Sequence, residues 1–104
     1  DGFYLVGDVK QTNHEMQKEI IKEVKKITHI APSDREGRII GEKTTSEGVI
    51  NYDTKALALC SSISKADFCT TTEVYPNSKK TSPEICVEVK VIVIKTALEY
   101  IKNI

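Results

Sequence analysis

The sequence predicts a single α+β domain, in which one long N-terminal amphipathic helix packs on a curled, mostly antiparallel sheet of about five strands. Three observations lead to this prediction. A helix start signal with helical apolar spacing lies near the N-terminus. Most of the remaining chain alternates apolar and polar residues with a period of two. The length of 104 residues leaves too little chain for two independent cores.

The long helix is predicted over residues 12–30. Thr12 is followed three residues later by Glu15, which is the pattern of a capping box. Pro32 and the polar residues after it end the helix. One apolar face follows the helical period, and the opposite face carries glutamates and lysines. The apolar face contains Met16, Ile20, Ile21, Val24 and Ile27.

Strands are predicted where β-branched and aromatic residues alternate with polar ones. The strongest prediction is 84–94, because alternation puts five apolar residues on one face of an extended chain. Residues 55–64 remain ambiguous between strand and helix, and 95–104 are long enough for a short C-terminal helix. The other predicted strands are 2–9, two short strands within 38–53, and 67–75. The five apolar residues are Ile85, Val87, Val89, Val91 and Val93.

Composition and charge narrow the function classes. The chain carries 15 basic and 15 acidic residues, so its net charge is zero, which argues against general binding to nucleic acids or anionic membranes. No apolar run approaches the roughly 18 residues of a membrane span. The segment 37–45 contains glycines but lacks the Walker spacing, so it predicts no phosphate loop. No cofactor is expected.

Cys60 and Cys69 are predicted to form a structural disulfide. If Ser64 and Lys65 form a two-residue hairpin turn, the two cysteines lie opposite each other on paired strands. The alternative is that all three cysteines are reduced and fill the core. A disulfide, together with a chain that begins at Asp1 instead of methionine, favours an exported or cell-surface protein, with a cytoplasmic location left open.

Neither a metal site nor a reactive thiol has a strong signature. The cysteine spacing does not match zinc sites, and His14 and His29 lie 15 positions apart on the predicted helix. That separation is about 22 Å along an α-helix, too far for one ion. A reactive thiol would most readily be Cys86, which alternation places on a charged strand face, with one of the two histidines as its base.

The function predicted from these features is a non-catalytic binding or assembly module with a protein partner or a second copy as its ligand. It would act through its sheet face, an edge strand or the polar loop 76–83, where Asn77, Lys79 and Lys80 are the candidate contacts. The alternative is a small intracellular enzyme or ligand-binding domain with a site between helix and sheet. Its site would use Cys86 and a histidine. The polar tips of that site would be Tyr4, Tyr52 and Tyr75.

Overall fold

The computed structural model describes residues 1–10, 12–53, 55–57 and 66–104. These residues form an α+β fold with a five-strand mixed sheet and two helices. The elements in chain order are β1 (Tyr4–Asp8), α1 (His14–Val24), β2 (Arg38–Ile39), β3 (Glu42–Ser46), β4 (Val49–Tyr52), β5 (Thr71–Glu73) and α2 (Pro83–Lys102).

The strands lie in the order β2-β3-β4-β1-β5. The central pair, β1 and β4, is parallel, with Leu5 opposite Val49, whereas the other pairs are antiparallel. A parallel pair needs a crossover between its strands, and α1 lies in that crossover. The prediction of a mostly antiparallel sheet is therefore corrected to a mixed sheet, because β1 finds its partner beyond α1 and the β2–β3 hairpin.

The N-terminal helix is shorter than predicted. It spans 11 residues, and the chain enters it through Asn13, whose left-handed backbone (φ 50°) occupies the N-cap position. The capping box expected from Thr12 is not formed, since the N-cap makes no side-chain hydrogen bond to the helix. The apolar face is confirmed, however. The residues of α1 that are buried are Met16, Gln17, Ile20, Ile21 and Val24.

The long helix is at the C-terminus, where the sequence predicted its strongest strand. Residues 84–94 belong to α2, which has 20 residues. Ser82 is its N-cap and accepts a hydrogen bond from the Ile85 backbone N–H at 3.2 Å. Pro83 follows at the first helical position, and Glu84 complements the helix dipole. These start signals and the packing of α2 against α1 outweigh the strand propensity of valine and isoleucine.

The remaining strand predictions are partly confirmed. The strand predicted at 2–9 is β1, and 67–75 contains β5, although only three of its residues are extended. The segment 38–53 holds three strands, β2 to β4, instead of two. Most of the ambiguous segment 55–64 lies outside the described residues.

The two faces of the sheet pack differently. The helices cover one face, and side chains from β1, β4, α1 and α2 meet there in the main core. The opposite face carries a smaller cluster formed by Tyr4, Ala31, Ile39 and Ile50. The main core consists of Phe3, Leu5, Met16, Ile20, Ile21, Val24, Val49, Val89 and Val93.

A buried polar contact fixes α1 on the sheet. Gln17 is 0% exposed, and its Nε2 donates to Thr70 Oγ1 at 3.3 Å. The neighbouring Asn51 donates from Nδ2 to Thr45 Oγ1 at 2.9 Å. Gly7 on β1 leaves room for both amides, because a Cβ atom at this position would collide with Asn51 Oδ1 and Gln17 Nε2. Glycine at position 7 therefore allows α1 to approach β1 closely.

Candidate interaction surfaces

The C-terminal helix has two apolar faces, of which only one is buried. Its inner face packs against the core through Cys86, Val89 and Val93, which are 9%, 1% and 6% exposed. These positions are separated by three and four residues, the spacing of one helix face. Partly buried aromatic and aliphatic side chains of the same helix add to this contact, most of them nearer its C-terminus. They include Ile92, Ala97, Tyr100 and Ile101.

The second apolar face of α2 points to solvent. Val87, Val91, Ile94 and Leu98 are 65%, 58%, 61% and 62% exposed. We call these four residues the outer stripe. Their separations of four, three and four residues are those of the d and a positions of a heptad repeat. Scattered exposed apolar residues are ordinary, but a contiguous row of them on a structured helix is typical of an interaction site.

A shallow groove of about 390 Å³ continues the outer stripe towards the rest of the molecule. Ile94 and Leu98 belong to both the stripe and the lining of the groove. The opposite wall is formed by the loop before β5 and by the start of α1, including Phe68 and Met16. The groove therefore widens the apolar surface beyond the width of one helix.

Charged residues border the outer stripe on both sides. Glu88 and Lys95 lie along one edge and Lys90 along the other, and all three are exposed. Lys90 is held in place, because its Nζ donates to Thr72 Oγ1 on β5 at 2.8 Å. The outer stripe is thus an apolar row with a defined pattern of charges, as in helices that pair with other helices.

The three tyrosines predicted as polar tips of a site lie near one another, on the sheet face opposite the helices. The rings of Tyr4 and Tyr75 lie 6.2 Å apart between centroids. Burial, helped by a hydrogen bond to Tyr75, raises the pKa of Tyr4 to about 12. Burial and the nearby Glu42 carboxylate raise the pKa of Tyr52. Tyr4 thus belongs to the smaller cluster, Tyr52 and Tyr75 pack against it, and none of the three joins a site between helix and sheet.

The loop 76–83 is exposed where the sequence predicted binding contacts, at Asn77, Lys79 and Lys80. Its base is anchored, because Ser78 Oγ donates to Asp1 Oδ2 at 2.8 Å. The other oxygen of that carboxylate lies 3.0 Å from His29 Nε2. The loop is shorter than predicted, since its last residue, Pro83, already begins α2.

The candidate thiols have different surroundings. Cys69 and Cys86 are free in the described part of the chain. Cys60 lies outside the described residues, so its pairing with Cys69 stays a prediction. Cys86 is buried on the inner face of α2, whereas strand alternation had placed it among exposed charges. It lines a cavity of about 10 Å³ together with His29, a volume that holds about one water molecule.

His14, the other candidate base, begins α1 and is not among the residues that line this cavity. Within the described ranges, no group of three or more histidine, cysteine, aspartate or glutamate side chains could hold a metal ion. Neither of the two described helices combines the length and the apolar character that a membrane span requires.

The strand predicted over 84–94 hides the outer stripe, because it makes those residues extended. An extended chain puts Val87 and Val91 on the same face as Val89, so a strand prediction joins all three in one apolar face. The signal that could have found the stripe is Ser82-Pro83-Glu84, an N-cap followed by proline and an acidic residue. In a helix, separations of four, three and four residues place the four side chains of the outer stripe on one face.

Comparison with known proteins assigns the chain to no family. No protein-family model matches the sequence, and no curated protein is significantly similar to it.

Proposed function

We propose that the protein is a non-catalytic assembly module that binds an apolar helix of a protein chain along the outer stripe of α2. The observation that supports the proposal is the exposure of Val87, Val91, Ile94 and Leu98, each more than half open to solvent. The sequence had suggested the sheet face, an edge strand or the loop 76–83 as the binding surface. The proposal moves that surface to α2.

The length and spacing of α2 suit a helical partner. A helix of 20 residues is about 30 Å long. A partner helix crossing it at about 20° can insert its side chains between successive residues of the stripe over most of that length. Removing the four exposed side chains from water supplies the driving force, because each apolar group transferred from water is stabilised in proportion to its area.

The alternative of a thiol enzyme has weaker support. Its two candidate groups, Cys86 and His29, do line one cavity, but that cavity of about 10 Å³ is too small for an organic substrate. Residues that bind small molecules usually line clefts of about 300–1,000 Å³. The proposal of export depends on the predicted Cys60–Cys69 disulfide and is tested with it.

Site-specific photo-crosslinking tests the proposed function. Benzoylphenylalanine is placed at Val91 on the outer stripe and, in a matched control, at Glu99, an exposed residue of the same helix outside the stripe. Both proteins are irradiated in the cells in which the chain is naturally made. We expect an adduct from position 91 alone, with the attachment site mapped by peptide sequencing to the apolar face of a helix in a second chain.

Two results would contradict the proposal. An adduct within the same chain would mean that the protein covers its own outer stripe. Equal sets of adducts from positions 91 and 99 would mean that the stripe binds nothing selectively. Both variants must first give the circular dichroism spectrum of the unsubstituted protein.

A further inference from the structure

We infer that the chain bound on the outer stripe is a second copy of this protein, with the two α2 helices packed antiparallel. The inference rests on the proposed function and names its partner. It follows from the heptad positions of α2, the charges that border the stripe and the groove beside it.

The heptad register of α2 allows self-pairing about a twofold axis. Val91 and Leu98 occupy a positions, and Val87 and Ile94 occupy d positions. In an antiparallel pair centred between Val91 and Ile94, each a residue meets a d residue of the other helix. Val91 then packs against the partner's Ile94, and Leu98 packs against the partner's Val87. The same surface serves both copies, as a closed dimer requires.

The bordering charges distinguish the antiparallel arrangement from the parallel one. Glu88 and Lys95 are e positions, and antiparallel helices place e positions opposite each other. Glu88 therefore faces the partner's Lys95, and the twofold axis repeats the pair. On the other edge, Lys90 faces the partner's Ala97 and meets no like charge. A parallel pair would instead place Lys90 beside the partner's Lys95, and like charges in contact select against that arrangement.

The groove supplies additional contact area. Specific protein interfaces bury about 800 Å² on each partner, more than the outer face of one isolated helix provides. The groove beside Ile94 and Leu98 adds apolar surface from Phe68 and Ala97, which are partly exposed and line it. A helix seated on the stripe can therefore contact both α2 and the loop before β5.

Sedimentation velocity over a concentration range tests the inference. From about 1 μM to about 1 mM, the unsubstituted protein should shift from the 11.6 kDa monomer to a dimer. Ile94→Asp puts a charge into the contact twice per dimer and should weaken dimerisation at least about 100-fold. Glu99→Lys, a charge change on the same helix outside the stripe, should leave dimerisation unchanged.

Charge exchange tests the antiparallel arrangement. Glu88→Lys and Lys95→Glu should each weaken the dimer about tenfold, because each replaces two attractive pairs by two repulsive ones. The double variant restores opposite charges at both pairs and should recover the affinity of the unsubstituted protein. Circular dichroism establishes that every variant is folded before it is compared.

The possible failures point to different conclusions. A dimer that the double variant does not restore would overturn the antiparallel pairing. A monomer at every concentration, with position 91 still forming its adduct with a different protein, would overturn self-association and leave the proposed function standing. A monomer with no intermolecular adduct from position 91 would overturn both.

Discussion

Val89→Ala and Val91→Ala are a matched pair of substitutions two positions apart on α2. Val89 is 1% exposed and contributes to the main core, whereas Val91 is 58% exposed on the outer stripe. The chemical change is the same in both variants, and both lie in the interior of the same helix. The difference in their effects therefore measures which way each side chain points.

The expected magnitudes follow from burial and helix propensity. Shortening valine to alanine removes two carbon groups, each with about 0.8 kcal/mol of transfer free energy when buried. The cavity left at Val89 adds to this loss, and alanine returns about 0.5 kcal/mol through its higher helix propensity. The free energy of unfolding should fall by about 2 kcal/mol in Val89→Ala. In Val91→Ala, less than half of this transfer free energy is lost, because the side chain is 58% exposed. The gain in helix propensity nearly cancels that loss.

Urea unfolding followed by far-ultraviolet circular dichroism gives the two free energies. The protein is kept dilute, so that any association through the outer stripe does not contribute to its stability. The slope of the free energy against urea should stay constant, because both variants expose nearly the same surface on unfolding. The thermal midpoint of Val89→Ala should fall by roughly 10 °C, whereas that of Val91→Ala should stay within a few degrees.

Equal losses in the two variants would contradict a helical α2 with Val89 on its inner face and Val91 on its outer face. An extended segment 84–94 would place Val89 and Val91 on the same sheet face, and the two substitutions would then cost similar amounts. A larger loss at Val91 than at Val89 would mean that the outer stripe is covered within the monomer.

Three further predictions concern the start of α2, a tyrosine and the cysteines. Ser82→Ala should lower the free energy of unfolding by about 1 kcal/mol, because Ser82 Oγ accepts a hydrogen bond from Ile85 N–H at 3.2 Å. Urea unfolding measures this loss, and Ser82→Asp should lose less because it keeps an acceptor. The pKa of Tyr4 is raised from 10.0 to about 12, so its contribution to stability is complete below pH 10 and is lost as the pH rises towards 12. In urea unfolding at a series of pH values, Tyr4→Phe should flatten that alkaline fall, and an undiminished fall would contradict the assignment. Intact mass after alkylation of the denatured native protein decides whether the Cys60–Cys69 disulfide exists: one alkyl group without reduction and three with it would establish the disulfide, and three in both samples would exclude it.

The sequence predicts secondary structure well in segments whose apolar spacing fits a helix or a strand but not both. The apolar face of α1 could be read from its helical spacing, and Ile20 and Val24 are indeed fully buried. The strand β1 and the hairpin from β3 to β4 were also predictable from alternation and from the turn that ends at Gly48. These features depend on residues close together in the chain, which is why a single sequence specifies them.

The candidate surface could be predicted only in part. The loop residues Asn77, Lys79 and Lys80 are exposed as expected, because a polar segment between two prolines has no apolar side chains to bury. The predicted strand separates the residues of the outer stripe, because it places Val87 and Val91 on the apolar strand face, Ile94 on the opposite face and Leu98 in the short C-terminal helix. The three tyrosines were recognised as a group, but the face that carries them depends on how β1 pairs with its neighbours.

The amino-acid sequence alone specifies an α+β composition and an amphipathic N-terminal helix, and it contains no long apolar span. Tertiary structure decided that 84–94 is helical and that β1 pairs with β4 in parallel. A run of alternating valines and isoleucines places apolar groups on one face of a strand and on two faces of a helix, so periodicity alone does not distinguish them. Contact with α1 buries the face of Val89 and Val93, and this leaves Val91 and Leu98 exposed to solvent.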